Sequence, residues 1–297
     1  MPGLFEEKYV KREYECTGSV EQVEIVSASD AIYVTSGDVT RVTLSYWECP
    51  GTHEYDLREA DGKLVLAFRD GGNILDGMHH IFRQTPIEMI LPASFAGSLD
   101  LGCASGETEL NVVNADKLKI GSASGRVRVA DVSCRGEVNI GTSSGAVELQ
   151  NVTGADFVVS GKSGAVRMDG IRALGRIESG LVSGSVSMTN VSAAGDVSVD
   201  SRSGGIKLES VSTEASLNAS TVSGSIHCAS LRTGGDIGLS STSGSVKGTI
   251  IGREGDYAVS AGTVTGSNNL NNSEGGSRSL SVNTVSGSID IRFVAGE

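Results

Sequence analysis

The chain has 297 residues, with 36 Asp and Glu against 24 Lys and Arg, a net charge of −12, 40 glycines and only six Tyr, six Phe and one Trp. A surface of that sign presents no basic stripe to a phosphate polyanion, which excludes nucleic acid as an expected partner and disfavours anionic lipid. Five cysteines without a C-x-x-C spacing form no disulfide framework, and no apolar run approaches a membrane span. Met1 to Tyr9 lacks the basic and apolar regions of a secretory signal, so the chain reads as soluble and cytoplasmic by default.

Residues 1–98 differ from the remainder. Ten of the 13 aromatics lie here, and residues 1–100 hold 17 acids against eight Lys and Arg. Short apolar runs at Val23 to Val26, Ile32 to Val34, Val42 to Trp47, Leu64 to Phe68 and Ile87 to Leu91 read as strands. An aromatic-rich, acidic β cap is expected, covering the strand edges that a repeat array leaves open, whether as a separate unit or as part of one continuous domain. Asp70 to Thr85 interrupts these strands. Its Asp76, His79 and His80 are a conceivable metal set, but three such residues in one loop are commonly just solvated polar groups; neither metal nor cofactor is expected.

From residue 99 onward a Ser-Gly pair returns about every 20 residues: at Gly106, Gly125, Gly145, Gly164, Gly184, Gly204, Gly224, Gly244 and Gly287, with Thr265-Gly266 as a variant. Taking each glycine as position 0, apolar residues sit at −7 and −5 (Leu118/Ile120, Val138/Ile140, Val197/Val199) and again at +2 and +4 (Val127/Val129, Val147/Leu149, Ile206/Leu208). Period two on each side with a change of parity at the glycine predicts two strands meeting at a corner. A further apolar residue at +7, from Val132 to Ile251, predicts a second corner or an inward turn. Copies of such a unit bury their apolar sides only by stacking, so the fold class is all-β: a right-handed parallel β-helix or β-solenoid of about ten rungs over 99–297. Parity assigns the −1 serines to the interior as a hydrogen-bonded ladder and the −2 residues to the outside. At +3, Glu109, Arg128, Glu148 and Arg167 alternate in sign and should lie side by side, as should Asp156, Arg176 and Asp196 at −8.

No catalytic motif survives inspection. Gly161-Lys162-Ser163 lacks the earlier glycine of a phosphate loop, and Gly141-Thr142-Ser143-Ser144-Gly145 is followed by no helix, as a nucleophile elbow requires. Both are repeats in frame. The one irregular stretch, Ile250 to Ser279, reads as a degenerate terminal rung or as a ligand loop contributing Asp256, Thr263, Thr265, Asn268, Asn269, Asn271 and Asn272.

The N-terminal strands end in Ile87 to Pro92 (Ile-x-Met-Ile-Leu-Pro) and are followed by apolar-x-apolar-x-x-x-Ser-Gly-x-Val-x-apolar repeats. This combination resembles a bacterial family, domain of unknown function 4097, which carries the label "putative adhesin". The resemblance spans about residues 20–295 and implies a β-solenoid from a bacterium, often Gram-positive, and in some members an association with envelope stress. Three functional classes follow: a non-enzymatic binding or scaffold protein meeting a protein or glycan, a self-assembling rod of unspecified oligomeric state, and a carbohydrate-active enzyme drawing on Glu254, Asp256, Glu274 and Asp290.

Overall fold

The fold was obtained as a computed structural model and describes residues 9–69 and 85–295. Asp76, His79 and His80, weighed above as a metal set, lie outside the described residues. The described residues form a β-solenoid of two sheets, one of 14 strands (sheet A) and one of 13 (sheet B). In each regular rung the strand before the corner glycine joins sheet B and the strand after it joins sheet A.

Register is kept from rung to rung. In sheet B, Leu118 stacks on Val138, then Phe157, Ile177, Val197, Leu217 and Ile237. In sheet A, Val127 stacks on Val147, Val166, Val186, Ile206, Ile226 and Val246. All of these side chains are buried, so the −7, −5, +2 and +4 positions build one continuous core between the sheets. The second corner is also real. Residue +6 adopts a left-handed conformation in successive rungs (Asp131, Asn151 and Asn190 all at φ 53°), which turns +7 inward. The rung of Gly244 lacks this extra residue, so its register shifts after Cys228 and Ile250, not Ile251, enters the core.

The corner itself explains the glycines. A Cβ on Gly125, Gly145, Gly184, Gly204, Gly224 or Gly244 would overlap the carbonyl oxygen of the corner glycine one rung earlier. Backbone packs directly on backbone there, and only a residue without a side chain fits. The bend also corrects the expected parity. Alternation stops at the corner, so −2 and −1 are both exposed: Ser183, Ser203, Ser223 and Ser243 face solvent, and the buried residue is −3. The interior hydroxyl ladder exists at −3, where Ser201, Thr221, Ser241 and Thr284 donate to the carbonyls of Gly184, Gly204, Gly224 and Gly244 at 2.8–2.9 Å.

The separate aromatic-rich cap over residues 1–98 is not confirmed. The strands β1 (Val10–Glu15), β2 (Gln22–Ser27), β3 (Ile32–Gly37), β4 (Thr43–Glu48), β5 (Glu54–Ala60), β6 (Lys63–Arg69), β7 (Ile87–Pro92), β8 (Ser98–Cys103) and β9 (Thr108–Ala115) belong to the same two sheets. β2 and β3 form a rung on which β8 and β9 stack in parallel, while β6 and β7 stack in parallel on its other side. Among the described strands, β1 pairs antiparallel with β4, β4 with β7 and β5 with β6. Tyr46, Tyr55, His53 and Phe68 are in ring contact at this end, where chain reversal replaces the glycine corner.

Two glycine classes therefore respond differently to alanine. Gly204→Ala should lose about 3 kcal/mol by forcing stacked backbones apart, while Gly121→Ala, whose Cβ meets nothing within 4 Å, should change stability by no more than about 1 kcal/mol. Denaturant unfolding of the two variants checks this.

Candidate functional site

The residues expected to form a ligand loop come together at the C-terminal end. There they close strand edges. The strand Tyr257–Thr265 is the outermost of sheet B, and residues 266–277 fold back over both sheets. Asn269 donates through Nδ2 to the Ile291 carbonyl at 2.7 Å and accepts from the Ile291 amide at 3.0 Å, so its side-chain amide takes the place of a neighbouring strand. Asn272 accepts from the Ala261 amide at 2.7 Å, and Asn268 donates to the Ala261 carbonyl at 3.3 Å. Leu270 plugs the end of the core.

Thr263 donates to the Gly287 carbonyl, continuing the interior ladder, and Thr265 meets Ser286 at 3.0 Å. Asp256 accepts from the Arg253 amide and lies 3.5 Å from Arg278, whose guanidinium covers the Tyr257 ring. Asn271 is exposed. Of the four candidate carboxylates, Asp256 and Asp290 each pair with an arginine, Arg278 and Arg292, while Glu254 and Glu274 are exposed.

Sequence reasoning missed a polar cluster at the opposite end. Ser27 aligns with Cys103 and Ile32 with Thr108, so Asp30 occupies the corner position filled elsewhere by glycine. Its carboxylate is buried and meets His53 Nε2 at 2.6 Å, the Tyr55 hydroxyl at 2.7 Å and the Thr85 hydroxyl at 3.0 Å. Burial, reinforced by the Asp30 carboxylate, pushes the Tyr55 phenol far above its ordinary range. The signal was present as Ser27-Ala28-Ser29-Asp30-Ala31-Ile32, a copy of the corner with Asp in place of Gly.

A second carboxylate, Glu59 on β5, gathers the chain between β1 and β2. It accepts from the Tyr14 hydroxyl, from the Thr17 amide and hydroxyl at 3.0 Å and from the Gly18 amide at 2.9 Å. The Tyr14 bond and then the Thr17 amide hold Glu59 down at about 2, and the same bond raises Tyr14 to about 12.

All five thiols are buried and free. Desolvation raises Cys16 to about 11 and Cys228 to about 12, and lifts Cys103 and Cys134 as well, which suppresses the nucleophilic thiolate. Among the described residues no group of three or more His, Cys, Asp or Glu is placed to hold a metal, and no helix is long and apolar enough to cross a membrane.

The outward columns are the remaining features. At −8, Asp156 and Asp196 accept from the backbone amides of Arg176 and Ser216 one rung on, so they fasten rungs through the main chain. At +3 the alternating column is in register, with Arg167 3.4 Å from Glu148. On the outer face of sheet B, Gly121, Gly141, Ser160 and Gly180 form the floor of an open groove of about 430 Å³, with Ser143 and Lys162 on its wall. The two tempting glycine motifs are parts of this groove.

The two-sheet stack with its ladder of corner glycines defines a parallel β-solenoid repeat protein. The chain belongs to the Toastrack DUF4097 family, whose model matches residues 20–292. Solved structures share the fold at low identity. One from Parabacteroides distasonis, named "Putative lipid binding protein", is 13% identical with a TM-score of 0.50, covering 97% of this chain and 98% of that one. Another from Parabacteroides merdae, named "putative adhesin", is 12% identical with a TM-score of 0.43 and 98% coverage of both chains. No curated protein matches the chain in sequence.

The Glu59 clamp should depend on acid. Its folded value lies below the ordinary 4.5, so its contribution is complete above about 4.5 and is lost as pH falls towards about 2. The Thr17 and Gly18 amide shifts, followed by NMR against pH, should move through that window and stay flat in Glu59→Gln.

Proposed function

We propose that the protein is a non-enzymatic, adhesin-like binding scaffold of the bacterial cell envelope, whose outer faces meet a protein or glycan partner. One observation carries this reading: the parallel register runs unbroken through the central rungs, so each outward position becomes a straight column of side chains at about 4.8 Å intervals. A surface of that regularity suits an extended or repetitive partner, and its binding strength grows with the number of rungs engaged. The groove over Gly121 and Gly180 marks a place where a partner approaches the backbone of sheet B closely, because at both positions a Cβ would meet open space.

Fractionation of native source cells, followed by binding of purified protein to envelope polysaccharide and surface protein, tests the proposal. The expected result is recovery with the envelope and saturable binding that weakens at least about tenfold in Gly121→Tyr with Gly180→Tyr, a variant expected to melt like the native chain. Purely cytosolic recovery without a partner would overturn it.

A further inference from the structure

The outer face of sheet A carries a charge pattern that a rung-fastening role does not explain. Successive strands place one outward residue each in a single row at matched register. At the N-terminal end the row reads Glu88 on β7, Tyr33 on β3 and Glu109 on β9. At its centre stand Glu148 and Arg167 on adjacent strands. Towards the C-terminal end come Lys207, His227 and Lys247, followed by Asp290 on the last strand. Glu88 and Glu109 are separated only by Tyr33, and Lys207 and Lys247 only by His227, so the row carries an acidic run on one side of its centre and a basic run on the other.

These runs become complementary if the row is turned end for end about the point between Glu148 and Arg167. Glu148 then meets Arg167, Glu109 meets Lys207, Tyr33 meets His227 and Glu88 meets Lys247. The strand order of sheet A places the members of each pair at equal distances from that centre. Arg128 falls opposite Ser187, so no like charges confront each other in the row. In the adjacent outward row, Gln150 falls opposite Asp169, Asn111 opposite Glu209 and Ile90 opposite Thr249, again without a like-charge pair.

We propose that sheet A is the interface of a two-fold homodimer in which two rods lie side by side and antiparallel. The symmetry axis runs parallel to the strands, between the faces, at the level of Glu148 and Arg167. Such an axis reverses the rod while preserving strand direction, so each outward column meets itself in opposite order and every pair occurs twice. Twelve strands at about 4.8 Å, each contributing about 13 Å of its length, give on the order of 700 Å² per copy, the size of a standard stable interface. Closure at the C-terminal end by Asn268, Asn269 and Asn272 directs association to this face and away from end-to-end strand pairing. The dimer leaves the groove of sheet B free, so it stands apart from the binding function proposed above.

Charge exchange tests the proposal. Sedimentation velocity over a range of concentrations should show a monomer–dimer equilibrium for the native chain. Lys207→Glu with Lys247→Glu should weaken the dimer about tenfold or more, as should Glu88→Lys with Glu109→Lys. All four substitutions in one chain restore opposite charges in every pair and should restore the dimer, and the two double variants mixed should form a one-to-one heterodimer. These side chains are on the outer face, and melting of each variant identifies any loss of folding. A native chain that stays monomeric, a dimer indifferent to both double variants, or a failure of both the fourfold variant and the mixture to re-associate would each overturn the interface.

Discussion

The structure depends on main chain resting directly on main chain at one corner of each rung. At Gly145, Gly204 or Gly244 the space a Cβ would need is already taken by the preceding carbonyl oxygen. That contact brings neighbouring corners together and holds each rung in step with the last. The −3 hydroxyls then reach the same carbonyls, from Ser201 to Gly184 and from Thr221 to Gly204, and satisfy polar groups that would otherwise be buried without partners. The straight outward columns are a consequence of this step, so the surface chemistry of the rod is set by its corner glycines.

Both ends show what replaces that constraint. At the N-terminal end Asp30 stands in the corner, and its carboxylate gathers His53, Tyr55 and Thr85 around it, while Glu59 gathers Tyr14, Thr17 and Gly18. At the C-terminal end asparagine amides imitate the missing strand along Ile291 and Ala261. The two solutions differ in chemistry: carboxylates gather donors at the N-terminal end, while at the C-terminal end an open sheet edge is closed by side-chain amides with the hydrogen-bonding capacity of a peptide bond.

Strand parity, the corner glycines and the inward +7 residue were legible because they depend on neighbours within a few positions. The orientation of the −1 serines was not. Alternation is a property of straight strands, and Ser203 lies past the point where the strand bends, so the hydroxyl assigned to the interior belongs instead to Ser201. Rung order at the ends was also hidden, since nothing local in β8 indicates that it docks on β2 and leaves β6 outside. The asparagines of residues 268–272 read as ligand contacts because an amide suited to cap an edge has the same composition as one suited to hold a sugar. Asp30 escaped notice because a single substitution at the corner breaks the Ser-Gly signal while leaving the rung intact.

A rod whose columns are fixed by its corners is a platform, and its function lies in which columns face outward. Thiol labelling of the native protein reads this most directly, because the five native cysteines are buried. Ser203→Cys and Ser201→Cys, two residues apart on one rung, should separate completely, with the first reacting at the rate of an exposed thiol and the second protected until the rod unfolds. Rapid labelling at 201 with protection at 203 would contradict the corner geometry from which the faces of the rod are derived.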